Sequence, residues 1–155
     1  MGHSAIPAVI DALVERATAA LPDVNVYDGF GIPGDLDEDA LMVGVGDRSA
    51  SAPANSAGSS QTMAVLGPDR SRDQTGSVTC VALSWNGDAD QKAARDAAYA
   101  VVAAVEDLLR TDPTLGVAAP GRSVCQMGSE DLDQGQYEGG ADALIIFTVE
   151  FAVRL

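Results

Sequence analysis

The chain has 155 residues, 46% of them hydrophobic, and its 23 acidic and 9 basic side chains give a formal net charge of −14. This length and apolar content predict one domain over residues 1–155 and exclude a chain that is disordered throughout. A nonspecific binder of DNA or of an anionic membrane needs a basic face. The charge, with Lys92 as the only lysine, excludes both classes.

The first predicted element is an amphipathic helix over residues 4–21, in which apolar side chains recur with the helical period of 3.6 residues. Ser4 is the predicted cap at its start, and Pro22 ends it. Residues 1–4 are expected to form a mobile N-terminus. They show neither the basic nor the apolar segment of a secretory signal, so we expect the protein to stay in the cytoplasm where it is made.

Residues 77–85 and 143–155 show the clearest alternation of apolar and polar side chains, which is typical of β-strands. Together with four shorter segments bounded by glycine, proline and aspartate, they make six predicted strands. A second amphipathic helix, capped by Asp88 or Asp90 and ending at Thr111, lies between the fourth and fifth of them. Because the strands mostly follow one another, we expect an α+β fold: a mixed, mainly antiparallel sheet of about five to six strands with two amphipathic helices packed on it. The predicted strands are residues 24–27, 41–45, 61–66, 77–85, 122–127 and 143–155.

Residues 47–60 contain no large apolar side chain and are rich in serine and alanine. This composition predicts a flexible loop or arm. Two interpretations stay open, because long unstructured loops are uncommon in compact domains. The segment is either a solvated connector or an arm that becomes ordered against another subunit.

The cysteines and the acidic residues are placed unevenly. Cys80 and Cys125 each lie in a predicted strand and lack the spacing of a metal site or of a disulfide framework, so we predict two buried free thiols. Residues 23–47 contain seven acidic residues and no basic one, and residues 123–153 contain six and no basic one. This distribution predicts acidic loops on an otherwise balanced body.

Two motifs between residues 29 and 46 suggest cofactors, but their context argues against both. Residues 29–34 match GxGxxG, yet acidic residues follow where the motif needs a helix N-terminus to receive a pyrophosphate. The acidic run from Asp35 lacks the glycine and the glutamate of a calcium loop, since Ala40 and Gly46 occupy those positions. We predict no cofactor and no specific metal site, and loose surface binding of a divalent cation stays open.

Catalytic residues are also not apparent. His3 is the only histidine and lies in the expected mobile terminus, so no positioned base is available to activate a serine or a cysteine. The acidic residues cluster in predicted loops, where solvent gives them no special reactivity. We therefore predict that the protein is not an enzyme.

Seven stretches follow one another along the chain, from an opening helix through short strands to a long closing strand. They are residues 6–13, 21–29, 41–45, 76–88, 93–99, 112–116 and the segment that ends at Leu155. In this order they resemble the tail terminator proteins of long, non-contractile-tailed bacteriophages, particularly those that infect actinobacteria. The resemblance covers nearly the whole chain and leaves out residues 47–73.

The resemblance implies a structural virion protein that forms a hexameric ring, caps the tail tube at its head-proximal end and joins it to the neck. Its implied partners are further copies of itself, the major tail tube protein and a neck or head-completion protein. Viral DNA passes through the channel without specific binding. The implied location is the virion tail, after assembly in the host cytoplasm. The alternatives are a head-closure or head–tail adaptor ring protein and, further off, a cellular protein-binding domain.

Two groups of charged residues are candidates for roles in such a ring. Arg70 and Arg72 form a local basic pair in an acidic chain and are the candidate intersubunit contacts, with a solvated turn as the alternative. A negatively charged channel wall repels the phosphates of passing DNA. The candidate channel-facing acids are Asp35, Asp37, Asp39, Glu130, Asp131 and Asp133.

Overall fold

The structure, a computed structural model, describes residues 3–31, 39–46, 55–63, 71–118 and 121–155. These residues form two helices and a mixed, mostly antiparallel sheet, which confirms the predicted α+β class and the order of the elements. The elements are α1 (Ile6–Ala20), β1 (Asn25–Asp28), β2 (Ala40–Val43), β3 (Ala57–Met63), β4 (Arg72–Asn86), α2 (Gln91–Thr111), β5 (Ser123–Tyr137) and β6 (Gly140–Arg154).

The start of α1 is fixed by a buried glutamine in β4. Gln74 is 0% exposed, and its Oε1 accepts a hydrogen bond from the Ala5 N–H at 2.7 Å. Its Nε2 donates to Ser4 Oγ at 2.6 Å and to Ser59 Oγ at 2.7 Å. Ser4 is therefore hydrogen-bonded to the sheet, and the mobility expected of residues 1–4 stays a prediction. Its hydroxyl also accepts a hydrogen bond from the Ile6 N–H at 3.2 Å, although Ala5 occupies the N-cap position itself.

The longer helix, α2, begins at the second of the two predicted caps. The Asp90 carboxylate accepts a hydrogen bond from the Ala93 N–H at 3.1 Å, which satisfies one of the free donors of the first turn. The helix ends at Thr111, as predicted. Its buried side chains recur with the helical period: Ala94, Ala98, Val101, Val102, Val105 and Leu109.

The strands lie in the order β1-β2-β4-β6-β5, and β3 pairs with β4 beside β2. Only β1 and β2 are parallel, and all other pairs are antiparallel. The partner of β4 changes at Thr79. Its N–H donates to the Ser56 carbonyl at 2.9 Å, next to β3, and its own carbonyl accepts from the N–H groups of Gly44 and Val45 at 2.8 and 3.0 Å, just after β2. β3 and β2 therefore occupy successive parts of the same side of β4.

Both helices cover one face of this sheet. The buried cluster joins their apolar residues to alternate residues of β4 and β6, including Cys80 and Phe147, which are directly opposite each other. The intervening residues form the second face, which we call the open face because neither helix covers it. It is apolar near Met42 and Val81 and polar near Thr75.

Residues 57–60 differ from the prediction, which placed them in a flexible loop. They form the first part of β3, because β4 offers them a continuous row of backbone partners from Val78 to Arg72. Residues 47–54 lie outside the described ranges, so the flexible arm there stays a prediction.

β5 continues to Tyr137, well beyond the predicted end at Met127. Gly128 and Ser129 form a β-bulge, between Met127 and Glu130, beyond which the strand continues. The Ser129 N–H donates to Thr148 Oγ1 at 3.0 Å, and a Cβ at residue 128 would lie 2.3 Å from the same oxygen. A side chain at residue 128 would therefore require the Thr148 side chain to move. None of the helices described here is long and apolar enough to cross a membrane.

Candidate functional site

The candidate contact residue Arg72 lies at one end of the sheet, where three long strands begin or end. Its backbone exchanges two hydrogen bonds with Leu155, at 2.8 and 3.2 Å. Arg122, just before β5, accepts a hydrogen bond on its carbonyl from the N–H of Arg154, the last residue of β6, at 2.8 Å. We call Arg72, Arg122 and Arg154 the basic end. The other candidate, Arg70, lies outside the described residues.

One arginine of the basic end is already paired within the chain. Arg154 Nε and Nη2 donate to the two carboxylate oxygens of Asp73 at 2.8 and 3.2 Å. The hydrogen bonds from Arg154 lower the pKa of Asp73, and those to Asp73 raise the pKa of Arg154. Arg72 and Arg122 form no ion pair with any residue of the described ranges.

Among the candidate acids at residues 35–39, only Asp39 is described, and it has a structural role. Its Oδ1 accepts a hydrogen bond from the hydroxyl of buried Ser84 at 2.7 Å. Its carbonyl accepts from the Asn25 N–H at 3.0 Å. Asp39 therefore holds the start of β2 against β1 and β4. Asp35 and Asp37 lie outside the described residues.

The other three candidate acids lie in a strand and not, as expected, in a loop. Glu130, Asp131 and Asp133 are exposed on the second half of β5, and we call them the acidic edge. Asp131 and Asp133 belong to the open face, because they are opposite Ile146 and Leu144. Glu130 is opposite the core residue Phe147 and belongs to the helix-covered face. Whether any of them faces a channel stays a prediction.

The two outer strands beside β4 and β6 have unlike edges. β3 contains no charged residue, and its last residue, Met63, is 63% exposed. β5 carries the acidic edge and Leu132, which is 37% exposed. At its start the outer side of β5 is covered, since the Cys125 N–H donates to the Pro113 carbonyl at 2.7 Å. From Glu130 onward, no described backbone group bonds to it.

These edges were missed by sequence reasoning. β3 has too little apolar character to be recognised along its whole length, and the second half of β5 looked like a solvated acidic loop. Arg122 and Arg154 were also missed, because the topology and not the sequence brings them close to Arg72. Met63 and Leu132 gave no signal in the sequence, since single apolar residues on a protein surface are common.

The two cysteine thiols are buried. Cys80 and Cys125 are free thiols inside the core, as predicted. Burial raises the pKa of Cys80 to about 12 and that of Cys125 to about 11, so both stay protonated and weakly nucleophilic near neutral pH. Within the part of the chain that the structure describes, no three histidine, cysteine or acidic residues are grouped so that they could hold a metal ion.

The sequence matches no known protein-family model and no curated protein. The unlike edges of the sheet and the basic end are therefore the features from which a function can be inferred.

Proposed function

We propose that this chain is a structural virion protein, the tail terminator of a long, non-contractile-tailed bacteriophage. Copies of it form a ring at the head-proximal end of the tail tube and join the tube to the neck. The sequence layout supports this role, and so does a small α+β domain with two unlike sheet edges. That difference between the edges is the observation that carries the proposal.

A closed ring of more than two copies requires heterologous contacts, in which one surface of a copy binds a different surface of the next. The uncharged edge of β3 and the acidic edge of β5 lie at opposite sides of the sheet. Pairing two β5 edges would place acids against acids, which is unfavourable. The acidic edge therefore disfavours a two-fold dimer formed through β5, whereas β3 can pair with β5 of a further copy, and the resemblance implies six copies.

The acidic charge suits the passage of DNA through such a ring. Asp131 and Asp133 project from the open face, whereas both helices lie on the opposite face. A ring with its helices outside turns these two carboxylates toward the channel. Repeated in every copy, they repel phosphate, so that DNA slides without binding.

Deleting the gene from the encoding phage genome tests the capping role by electron microscopy of the particles. We expect tails of irregular, excessive length without heads, restored to normal by the wild-type gene supplied in trans. Tails of normal length that remain separate from heads would instead indicate a head-closure or adaptor ring. Complete, normal particles, or virions that lack the protein, would contradict both.

The channel role is tested with charge reversals that leave the ring intact. Asp131→Lys with Asp133→Lys should give tails of normal length but slower genome ejection, because the wall then attracts phosphate. Asp11→Lys with Asp107→Lys makes the same charge change on exposed helix positions and is the matched control. Equal ejection rates for the two variants would contradict a channel position for the acidic edge.

A further inference from the structure

The two sheet edges have geometries that fit each other. We propose that β3 of one copy pairs with residues 130–136 of β5 in the next copy, so that neighbouring sheets join into one continuous antiparallel sheet. This contact rests on the ring of the proposed function and specifies its interface. The occupant of each edge is a second copy of this chain.

The strand directions favour this contact. β3, β4, β6 and β5 are successively antiparallel, so β3 and β5 of the same copy run in opposite directions. A neighbour in the same orientation then presents its β5 antiparallel to β3. Antiparallel pairing is the more stable arrangement, and it can repeat from copy to copy.

Two neighbouring segments, Pro113 and β1, limit which part of β5 can pair with β3 of another copy. Pro113 already bonds to Cys125 and covers the first half of the β5 edge. On the other side, β1 lies outside β2, in line with the space beside β3. A strand that pairs with β3 must therefore end before it reaches β1. Only the last part of β5, which ends in the hairpin loop after Tyr137, satisfies both conditions.

The backbone groups of the two edges also have matching positions. The Thr79 N–H donates to the Ser56 carbonyl. With the β3–β4 register, this places the bonds of residues 56, 58, 60 and 62 toward β4, and the N–H groups of residues 57, 59, 61 and 63 point outward. The two-residue loop between Tyr137 and Gly140 closes on a hydrogen-bonded pair, so the outward groups of the second half of β5 belong to residues 130, 132, 134 and 136. In both strands the outward residues have side chains on the helix-covered face. When the outward residues of β3 are opposite the outward residues of β5, their backbone groups can bond to each other. Their side chains then also lie on the same face of the joined sheet.

Charge and exposed apolar surface complete the match. With residues 57–63 opposite residues 136–130, Met63 is opposite Glu130 and diagonal to Leu132. Arg72, the β4 partner of Met63, is then level with Glu130, about 10 Å away across two strand spacings, on the same face. The long arginine side chain can reach this carboxylate. Nothing charged in β3 opposes the acidic edge.

A proline at residue 61 tests the pairing in the purified protein. Gln61→Pro removes an outward N–H without breaking a β3–β4 hydrogen bond, and we expect it to weaken self-association at least about tenfold by sedimentation velocity. Gln61→Ala loses the same side-chain contact to the His3 carbonyl but keeps the N–H, and should associate like wild type. Equal association of the proline and alanine variants, both folded by circular dichroism, would overturn the proposal.

A charge exchange tests the register. Arg72→Glu should weaken association about threefold to tenfold, and adding Glu130→Arg should restore it. Arg110→Glu makes the same change on the exposed surface of α2, on neither edge of the sheet, and should have no effect. No restoration by the double variant, or an equal loss from Arg110→Glu, would overturn the register.

The two proposals fail in different ways. A wild-type chain that stays monomeric at the highest soluble concentration overturns the edge pairing but not the capping role, because the copies would then be held together by the tube. Rings in solution from a protein whose deletion leaves tails and heads normal would support the edge pairing and contradict the tail function.

Discussion

The two faces of the sheet differ most clearly within one strand. On the helix-covered side of β6, Phe147 and Val149 are 0% exposed. On the open side, Ile146 and Thr148 are half-buried and Glu150 is exposed. Neighbouring residues of one strand thus have different roles, because side chains alternate across the sheet. The covered face stabilises the domain, whereas the polar part of the open face, near Thr75 and Glu150, is exposed and available for contacts with other molecules.

The largest expected difference between the faces is in the stability lost when residue 146 or residue 147 is replaced by alanine. Phe147→Ala leaves a cavity in the core and should lower the free energy of unfolding by about 3–5 kcal/mol. Ile146→Ala removes a half-buried side chain from the open face and should cost clearly less. Denaturant unfolding of both variants measures the two losses. Equal losses would mean that the open face is as well packed as the covered one.

Gln74, on the covered face, and Thr75, on the open face, allow the stability cost of losing a polar side chain to be compared between the two faces. Gln74→Ala leaves the buried Ala5 N–H without its acceptor and should cost about 1–3 kcal/mol. It should also speed hydrogen exchange at the start of α1. Thr75→Ala, on the open face, should change stability little. If exchange at Ala5 is unaltered in Gln74→Ala, the glutamine does not fix the helix.

The buried thiols predict a dependence of stability on alkaline pH. A raised pKa in the folded state gives stability that is complete below the ordinary pKa of 9.0 and is lost as the pH rises toward about 12 for Cys80. Between these two pH values, one such thiol lowers the free energy of unfolding by about 1.4 kcal/mol for each pH unit. Replacing both Cys80 and Cys125 by alanine should flatten this dependence.

The matched control places a thiol on the open face. Thr75→Cys adds a solvent-accessible thiol that titrates alike in the folded and unfolded states, so it should not change the alkaline slope. Urea unfolding between about pH 8 and 11 gives both slopes. An unchanged slope in the double alanine variant would show that the buried thiols are not its source.

The smallest effect is expected from the ion pair between Asp73 and Arg154 on the open face. The arginine lowers the pKa of Asp73, so its stabilisation is present above the ordinary value of 3.8 and is lost as the pH falls through the lowered one. Asp73→Asn should therefore be slightly less stable than wild type near neutral pH and equal to it near pH 2. A difference that persists in acid would point to a cause other than this charge.

The helices and strands that could be predicted are those in which apolar residues recur with the period of a helix or a strand. Both helices and the cores of β4 and β6 have such a pattern, and their packing partners are implied by it. β3 is different, because residues 57–60 are small and polar and become a strand only through pairing with β4. The end of β5 is extended in the same way by β6, past the β-bulge at Gly128 and Ser129.

For the candidate site, the sequence predicts which charged residues are present but not where they lie relative to one another. The charges of Arg72, Glu130 and Asp131 are visible in the sequence, but their positions depend on strand order and on the bulge. Long-range pairing of this kind is set by the whole sheet and not by local residue preferences. The pairing of Asp39 with Ser84 could not be seen either, since β1 and β4 meet around it only after folding.

The change of partner at Thr79 separates the two strands that share one side of β4. β3 bonds to residues 72–78, whereas β2 bonds to residues 80–83, so neither strand fixes the alignment of the other. Amide hydrogens of β3 can therefore exchange with solvent through the opening of that strand alone. Those of β2, which is buried along its whole length, exchange only when the core itself opens.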